Sequence, residues 1–332
     1  MNLDKIKFLR CPKTKRPLEI SSNTQVIVEG RLQSGILIEP ISKNEYPVIN
    51  FIPRFVELEN YANSFGLEWN KHSKTQVDEF TGLDISKDRF FNETKWGYDL
   101  KDSKLLEVGS GSGRFTCHAL TTGADVFSID FSNAVEANYK NNGHHPNLLI
   151  VQASVYELPF EQDYFDNVLC IGVLQHTPNP RLSFKRLVES LKPGGALVTD
   201  IYLKSFFQVF LTPKYLFRIF TKHMNPDVLY NYIENYINAV WPFAKVISKI
   251  PYLGPRINWR LLIADYRQFF KISDDKILKE MAILDTFDML SPRYDLPVTR
   301  RTFLNWHKDE KLVNIDIHYG FNGIEARAKK KL

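Results

Sequence analysis

Three glycines stand between an apolar run and a stretch with helical patterning. The segment LLEVGSGSGRF places them at Gly109, Gly111 and Gly113. Glycines at such a turn let backbone N–H groups approach a ligand that side chains would block. A dinucleotide fingerprint would need its third glycine at the position of Arg114. The loop therefore predicts a cofactor turn and argues against a nicotinamide dinucleotide.

Two acidic residues accompany this glycine loop. Asp130 ends the next apolar run, about twenty residues further on. A carboxylate at that position can accept hydrogen bonds from both hydroxyls of a ribose. Glu107 precedes the first glycine by two positions, so it would point into the loop and either hold it or meet an ammonium group of the ligand. Together they favour a ribose-bearing ligand.

One histidine is placed to act as a base. His176 follows the apolar run IGVLQ, where the carboxyl end of a sheet strand is expected. If the substrate has a hydroxyl group, a histidine there can take its proton. His176 can equally cap the turn after the strand or orient a neighbour, and the sequence leaves both roles open.

The elements that must position these residues alternate in type. From 103 to 203, apolar strands alternate with amphipathic stretches, which is typical of βαβ units and a mostly parallel sheet. The strands are KLLEVG, DVFSID, NLLIVQA, FDNVLCIGV and ALVTDIY. NIDIHYG at 314–320 and GIEARAKK at 323–330 predict a closing hairpin. The fold class is therefore α/β with a doubly wound sheet.

Five motifs in this order resemble class I S-adenosylmethionine-dependent methyltransferases. They are E-x-G-x-G-x-G, Asp130, VQASVYELPF at 151–160, FDNVLCIGVLQHTPNP at 165–180 and LKPGGALVTD at 191–200. The resemblance implies a Rossmann-like methyltransferase sheet, S-adenosyl-L-methionine as cofactor and S-adenosyl-L-homocysteine as product. The cofactor-binding residues that it implies are Glu107, Gly109, Ser110, Gly111, Gly113, Asp130, Phe131, Ser154, Val155 and Gly172. The family's usual acid at Ser154 is missing, so the Val155 backbone is expected to recognise the adenine.

Segments on either side of this core resemble a methyltransferase subgroup that has an N-terminal ribbon and a C-terminal helical lid. They are SFGLEWNKHSKTQ at 64–76 and LDTFDMLSPRYDLPVT at 284–299. The substrate or lid candidates are Trp69, Gln76, Tyr294 and Asp295 by this resemblance, and Arg114 as a partner for a carboxylate. His176 is the candidate catalytic residue.

The first 57 residues are β-rich and resemble the small zinc-ribbon-like domain that activates several methyltransferases. LRCPKTKRPLE at 9–19 and YPVINFIPRF at 46–55 carry the resemblance. The four ligand positions read Cys11, Thr14, Glu39 and Ser42, and one thiolate cannot sustain a tetrahedral zinc site. We expect no metal here. The ribbon then either docks substrate and stabilises the core or is a relic.

The segment 205–271 is aromatic and basic. It holds 16 of the aromatic residues, with nine Lys and Arg against three Asp and Glu. An amphipathic helix is predicted from Val240, Phe243, Ala244, Ile247 and Ile250, with Lys245 and Lys249 on another face. We favour a helical cap whose aromatics fill its own core. Contact with a membrane surface, a lipid-linked acceptor and RNA are the alternatives.

The chain as a whole has ordinary globular composition. Of its 332 residues, 44% are hydrophobic and 24% charged, which argues against disorder and coiled coil. The net charge of +5 permits anionic partners without requiring them. Three widely spaced cysteines, no signal-peptide pattern and no apolar run of ~18 residues predict a cytoplasmic protein.

The predicted organisation has five segments. They are a ribbon-like unit (1–57), linking helices (58–102), a cofactor-binding core (103–204), a helical cap (205–290) and the completion of the sheet (291–332). The predicted function is S-adenosylmethionine-dependent methylation of oxygen or carbon on a small-molecule, glycan or lipid-linked acceptor. An RNA methyltransferase, for which nucleic acid is the less favoured partner, and a non-catalytic scaffold are the alternatives.

Overall fold

The computed structural model describes residues 1–21, 25–57, 59–204, 213–267 and 274–332. A short 3-10 helix, Leu3–Phe8, precedes a small antiparallel sheet. Its strands are β1 (Glu19–Ile20), β2 (Val26–Val28), β3 (Arg31–Ile38), β4 (Glu45–Ile49) and β5 (Ile52–Pro53). The long strand β3 pairs with β1, β2 and β4. Its Leu32 and Leu37 are fully buried, so this sheet packs its apolar side chains inward.

Three helices connect the small sheet to the core. They are α1 (Asn63–Lys71), α2 (Asp78–Thr81) and α3 (Ile85–Thr94). Helix α3 ends at Lys95, whose backbone is left-handed and whose N–H donates to the Phe91 carbonyl. This arrangement closes the last turn of the helix.

The core is a seven-stranded sheet. Its strands are β6 (Lys104–Val108), β7 (Asp125–Asp130), β8 (Leu148–Gln152), β9 (Phe165–Cys170), β10 (Leu191–Ile201), β11 (Val313–Gly320) and β12 (Gly323–Lys329), in the order β11-β12-β10-β9-β6-β7-β8. Strands β6 to β10 run parallel, and β12 is antiparallel to β10 and β11. Neighbouring Leu105 and Leu106 are both fully buried because helices cover both faces. The predicted doubly wound sheet with a closing hairpin is confirmed.

The crossover helices are α4 (Thr116–Thr121), α5 (Val135–Asn142) and α6 (Pro180–Ser190). Helix α6 has a strong N-terminal signal, since the Asn179 side chain accepts from the Leu182 N–H and Pro180 occupies the first turn.

The small N-terminal sheet is continuous with the core in both backbone and packing. The Phe55 N–H donates to the Gln152 carbonyl at the edge of β8 (2.8 Å). Buried Arg54 donates to the Gln152 side chain (2.8 Å) and to Glu136 on α5. Apolar residues of both sheets form one hydrophobic cluster. The N-terminal segment thus covers an edge strand of the main sheet.

A helical cap follows β10. In the described residues it comprises α7 (Pro213–Thr221), α8 (Pro226–Ile247), α9 (Gly254–Arg260) and α10 (Asp275–Leu290), and α11 (Arg300–Asp309) leads from it to β11. The parts of the predicted cap at 205–212 and 268–273 lie outside the described residues. The cap has a hydrophobic core of its own, built mainly between α8 and α10.

The buried face of α8 differs from the predicted one. Its buried residues include Leu229, Ile233, Ile237, Trp241 and Ala244. Of the five apolar residues expected to share an inner face, only Ala244 is fully buried, and Phe243 and Ile250 are exposed. The apolar stripe that begins at Leu229 is longer and fits the cap core, whereas the predicted stripe from Val240 to Ile250 stays largely outside it. In the part of the chain that the structure describes, no helix has the length and apolarity to span a membrane.

Candidate functional site

The glycine loop connects β6 to α4 and needs glycine for two different contacts. Gly111 has a φ of 53°, and a Cβ there would lie 3.0 Å from the Trp69 ring. Gly113 has a φ of 84°, and a Cβ there would lie 2.1 Å from Oδ1 of Asn138 on α5. Gly111 therefore lets Trp69 pack over the loop, and Gly113 lets the loop pack on α5.

Asp130 ties the end of β7 to the glycine loop. One carboxylate oxygen accepts from the Gly111 N–H (3.0 Å), and the other accepts from the Ser132 N–H (2.8 Å) and hydroxyl (2.7 Å). Burial raises the pKa of Asp130. The carboxyl group borders the cavity described below.

Glu107 lies beneath the loop. Its carboxylate accepts from the hydroxyls of Thr116 (2.5 Å) and Ser128 (2.9 Å), and Asn138 donates to both hydroxyls. The second oxygen, Oε1, has no hydrogen-bond partner among the described residues. Burial raises the pKa of Glu107 to about 7. Glu107 thus joins α4 to β7 beneath the loop, and both of its predicted roles stay predictions.

A cavity of about 670 Å³ opens between the carboxyl ends of β6, β7 and β9, helix α1 and the cap. Its volume is in the range of small-molecule and cofactor sites. Most of the residues predicted from the sequence border it, namely Trp69, Gln76, Gly109, Ser110, Gly111, Arg114, Asp130, Phe131, Val155, Gly172 and His176. The structure therefore brings the glycine loop, the acid and the histidine to one space.

The groups around this cavity fit S-adenosylmethionine. The hydroxyls of Ser110 and Ser112 are buried at its wall and have no hydrogen-bond partner among the described residues, so they can serve the polar amino-acid part. Asp130 presents a carboxylate for ribose hydroxyls. The stacked rings of Tyr61 and Phe131, with centroids 4.7 Å apart, offer a flat apolar surface for a base.

Five predicted residues do not border the cavity, and they are Glu107, Gly113, Ser154, Tyr294 and Asp295. The Ser154 hydroxyl accepts from the Tyr156 N–H (3.2 Å) and caps a short 3-10 helix. Asp295 pairs with Lys214 (2.9 Å), which itself borders the cavity. Asp295 therefore contributes to the cavity wall only indirectly, by holding Lys214 in place.

His176 is held in one orientation. Its Nδ1 lies 3.0 Å from the Tyr294 carbonyl oxygen, and its ring contacts those of Phe65 and Tyr202, with centroids 5.2 and 5.4 Å away. Because a carbonyl only accepts, Nδ1 is the donor in this contact, and Nε2 is the ring nitrogen left for a substrate. Tyr294, predicted as a lid residue, thus contributes its backbone to the position of His176.

A cluster of carboxyl groups in the cavity wall was missed from the sequence. It consists of Glu68 on α1 with Asp285 and Asp288 on α10. Burial and the charges of both aspartates raise the pKa of Glu68 well above its usual value, and burial raises that of Asp285 to about 7. The neighbouring guanidinium is Arg114, which donates to Gln76 and whose pKa burial lowers to about 10.

The sequence held a signal for this cluster. Two acids three apart in LDTFDML, Asp285 and Asp288, share one face of an otherwise apolar helix.

A buried network of Arg89 with carboxylates was also missed from the sequence. Arg89 contacts Glu93 and Asp200, with 2.9 Å to Asp200. Asp200 accepts from the Gly172 N–H (2.5 Å) and from the Asn322 side chain (3.0 Å). This network holds the part of the cavity wall that Arg89, Gly172 and Asn322 form.

Comparison with known proteins assigns the core. Residues 106–199 match the family model of a methyltransferase domain. The tRNA U34 carboxymethyltransferase of Nautilia profundicola is 27% identical over 156 residues, which cover 43% of this chain and 50% of that protein. The demethylmenaquinone methyltransferase of Staphylococcus aureus is 33% identical over 102 residues, which cover 30% and 42%. The chain thus spans about half the length of the curated relatives that it matches.

Among solved structures, phosphoethanolamine N-methyltransferase 1 of Haemonchus contortus, in complex with phosphoethanolamine and S-adenosylhomocysteine, is similar with 21% identity and a TM-score of 0.35. The similarity covers 45% of this chain and 34% of that one. The family match runs from β6 into β10 and includes the glycine loop, Asp130 and His176. Residues 106–199 of this chain are therefore a methyltransferase domain, and the cofactor of that domain is S-adenosylmethionine.

Proposed function

We propose that the whole chain is a cytoplasmic methyltransferase. It transfers the methyl group of S-adenosylmethionine to an oxygen or carbon atom of a small-molecule, glycan or lipid-linked acceptor. The observation that supports this most directly is the single cavity that joins the glycine loop and Asp130 to His176. The predicted residues that border the cavity keep their proposed roles. Glu107 and Gly113 lie beneath the loop, and Ser154, Tyr294 and Asp295 contact neighbouring residues instead.

When bound, the cofactor supplies a methyl group that its sulfonium already activates. The protein must then align the acceptor and exclude water. Phe65, Trp69 and Tyr202 supply an aromatic wall for this purpose. When the acceptor is a hydroxyl, Nε2 of His176 would accept its proton.

The charge of the cavity bears on the acceptor class. The two relatives described above are named for a tRNA and for a demethylmenaquinone, so RNA and small apolar acceptors both enter the comparison. Glu68, Asp285 and Asp288 line the cavity together with the cations Arg114 and Lys214. Because burial raises the pKa of Glu68 and Asp285, their carboxyl groups bind a proton more readily than free ones, and such a wall suits an uncharged small-molecule or lipid-linked acceptor.

For the N-terminal unit we propose a ribbon-like fold held by hydrogen bonds instead of a metal. Cys11 Sγ lies 3.2 Å from the Tyr46 hydroxyl. The Glu39 carboxylate accepts from the N–H groups of Ile41 and Ser42, both at 2.9 Å. The former ligand positions are thus engaged within the unit. Its proposed role is to stabilise the catalytic core, since it covers the edge of β8.

The test is calorimetric titration with S-adenosylmethionine, S-adenosylhomocysteine and, as a control ligand, NADH. We expect micromolar binding of the first two and none of NADH. Gly111→Arg should reduce the affinity at least a hundredfold because the side chain fills the space beside Trp69. Gly97→Arg is the matched control, since Gly97 is exposed and a Cβ there meets nothing closer than 3.9 Å.

Two results would contradict the proposal. Unchanged affinity in Gly111→Arg would remove the loop from the cofactor site. No binding of either ligand to the unmodified protein would favour the non-catalytic scaffold.

A further inference from the structure

The outer surface of the cap carries a concentration of exposed apolar side chains. They lie at the end of α8, in the following turn and along α9, and we call them the α8–α9 face. Its members are Phe243, Val246, Ile250, Tyr252, Leu253, Ile257 and Leu261. Phe243 is 70% exposed and Tyr252 83% exposed. Single exposed apolar residues are ordinary, but a group this dense within 243–261 marks a surface for interaction.

These side chains are not needed for the cap core. The opposite side of α8 already buries Ile237, Trp241 and Ala244 against α10 and its neighbours. Asn258 on α9 is fully buried and donates to the Ala244 carbonyl (3.0 Å) and to Asp265 (2.7 Å). These bonds hold α9 against α8, so the α8–α9 face is a fixed part of the surface.

The face is also positively charged. Between 235 and 264 the sequence contains Lys245, Lys249, Arg256 and Arg260 and no aspartate or glutamate. Lys249 and Arg256 are exposed, and Lys245 pairs with Asp275 across 3.0 Å. Basic residues around exposed aromatic and aliphatic groups match an anionic lipid surface, where the apolar side chains enter the interface and the cations meet headgroups.

Helix α9 connects this face to the cavity. Trp259 lines the cavity, whereas Ile257 and Leu261 on the same helix are exposed. One short helix therefore has the cavity on one side and solvent on the other.

We propose that the α8–α9 face is a peripheral docking surface for an anionic lipid bilayer. Aliphatic side chains predominate in it, which suits acyl chains better than the stacked bases of RNA. A second copy of the chain would bring like charges together, which disfavours self-association through this face. The proposal goes beyond methyl transfer and does not depend on it.

The experiment is co-sedimentation of the full chain with vesicles. Vesicles of phosphatidylcholine containing phosphatidylglycerol are compared with vesicles of phosphatidylcholine alone, at low and high salt. We expect binding to the anionic vesicles that weakens with salt. Lys249→Glu and Arg256→Glu should each weaken binding at least about fivefold, since one cation near an anionic surface contributes about that factor.

Apolar contact is tested by a triple variant, Phe243→Ser, Ile250→Ser and Leu253→Ser. We expect it to lower the bound fraction at least tenfold. The matched control is Ile41→Ser, Tyr98→Ser and Tyr319→Ser, which removes equally exposed apolar groups from other elements and should leave binding unchanged. Calorimetry with S-adenosylhomocysteine monitors the cofactor site separately. A failure of the proposed function can therefore be distinguished from a failure of the docking proposal.

Several outcomes would overturn the docking proposal. These are absence of binding to anionic vesicles, equal binding to neutral ones, or equal loss in both triple variants. Binding of total tRNA that the first triple variant abolishes, without vesicle binding, would instead assign the face to RNA.

Discussion

Two carboxyl groups near the glycine loop have different surroundings. Asp130 faces the cavity and accepts three hydrogen bonds, two of them from backbone N–H groups. Glu107 is enclosed, accepts from two hydroxyls and keeps one oxygen without a partner among the described residues. Charge on Glu107 is therefore poorly compensated. It is the group at which loop stability should depend on pH.

Burial raises the pKa of Glu107 from 4.5 to about 7, and this shift predicts the direction in which stability changes with pH. Between these values the folded protein binds more protons than the unfolded chain, so stability from this group is present at low pH and is lost as pH rises. Glu107→Gln should therefore gain stability relative to the unmodified protein between pH 4.5 and 8, by up to about 3 kcal/mol. Urea unfolding at several pH values measures this difference.

Glu79→Gln, at an exposed position on α2, is the control and should show no such pH trend. A difference between Glu107→Gln and the unmodified protein that stayed constant from pH 4.5 to 8 would mean that Glu107 keeps its charge when folded.

At the scale of elements, α8 has two apolar faces with different consequences. Its inner face packs into the cap core, and its outer end forms part of the α8–α9 face. Mutations on the two sides should therefore separate stability from interaction.

Ile237 is fully buried in α8, and Tyr232 on the same helix is 64% exposed. Ile237→Ala should lower the free energy of unfolding by about 2 to 5 kcal/mol because it leaves a cavity in the cap core. Tyr232→Ala should change it by about 0.5 kcal/mol or less. Urea unfolding followed by tryptophan fluorescence compares the two, and similar losses in both would contradict the assignment of faces.

The sequence was sufficient for elements whose signal is local. The strands of the core are apolar on both faces, and the glycine loop and Asp130 follow them at fixed spacing. The carboxyl cluster could not be predicted in the same way, since Glu68 and Asp285 meet only through the packing of α1 against α10. The buried face of α8 could not be predicted for a related reason: two apolar stripes lie on one helix, and only the packing of the cap core decides which of them is buried.

At the scale of the whole molecule, the N-terminal sheet and the main sheet share one hydrophobic cluster. Cys11, in the turn before β1, belongs to that cluster from the N-terminal unit and Cys170 on β9 belongs to it from the main sheet, and both are fully buried. Arg54 adds polar bonds between the two units. Such shared burial predicts that the two sheets unfold together.

Pulsed thiol labelling with mass spectrometry tests this directly. Cys11 and Cys170 should become reactive at the same urea concentration. Arg54→Met should lower the urea midpoints of both cysteines together, because it removes charge-assisted hydrogen bonds between the units. The expected loss in the free energy of unfolding is about 2 to 3 kcal/mol. Labelling of Cys11 at clearly lower urea than Cys170 would show that the N-terminal sheet unfolds independently.

The backbone contact between Phe55 and Gln152 also has a meaning during synthesis. The ribosome releases the N-terminal sheet before β8, so the segment that covers the exposed edge of β8 is already present when that strand emerges. An uncovered strand edge on a nascent chain can pair with other nascent chains that are synthesised on the same messenger RNA. The order of the two sheets along the chain thus means that the cover for this edge is synthesised before β8 itself.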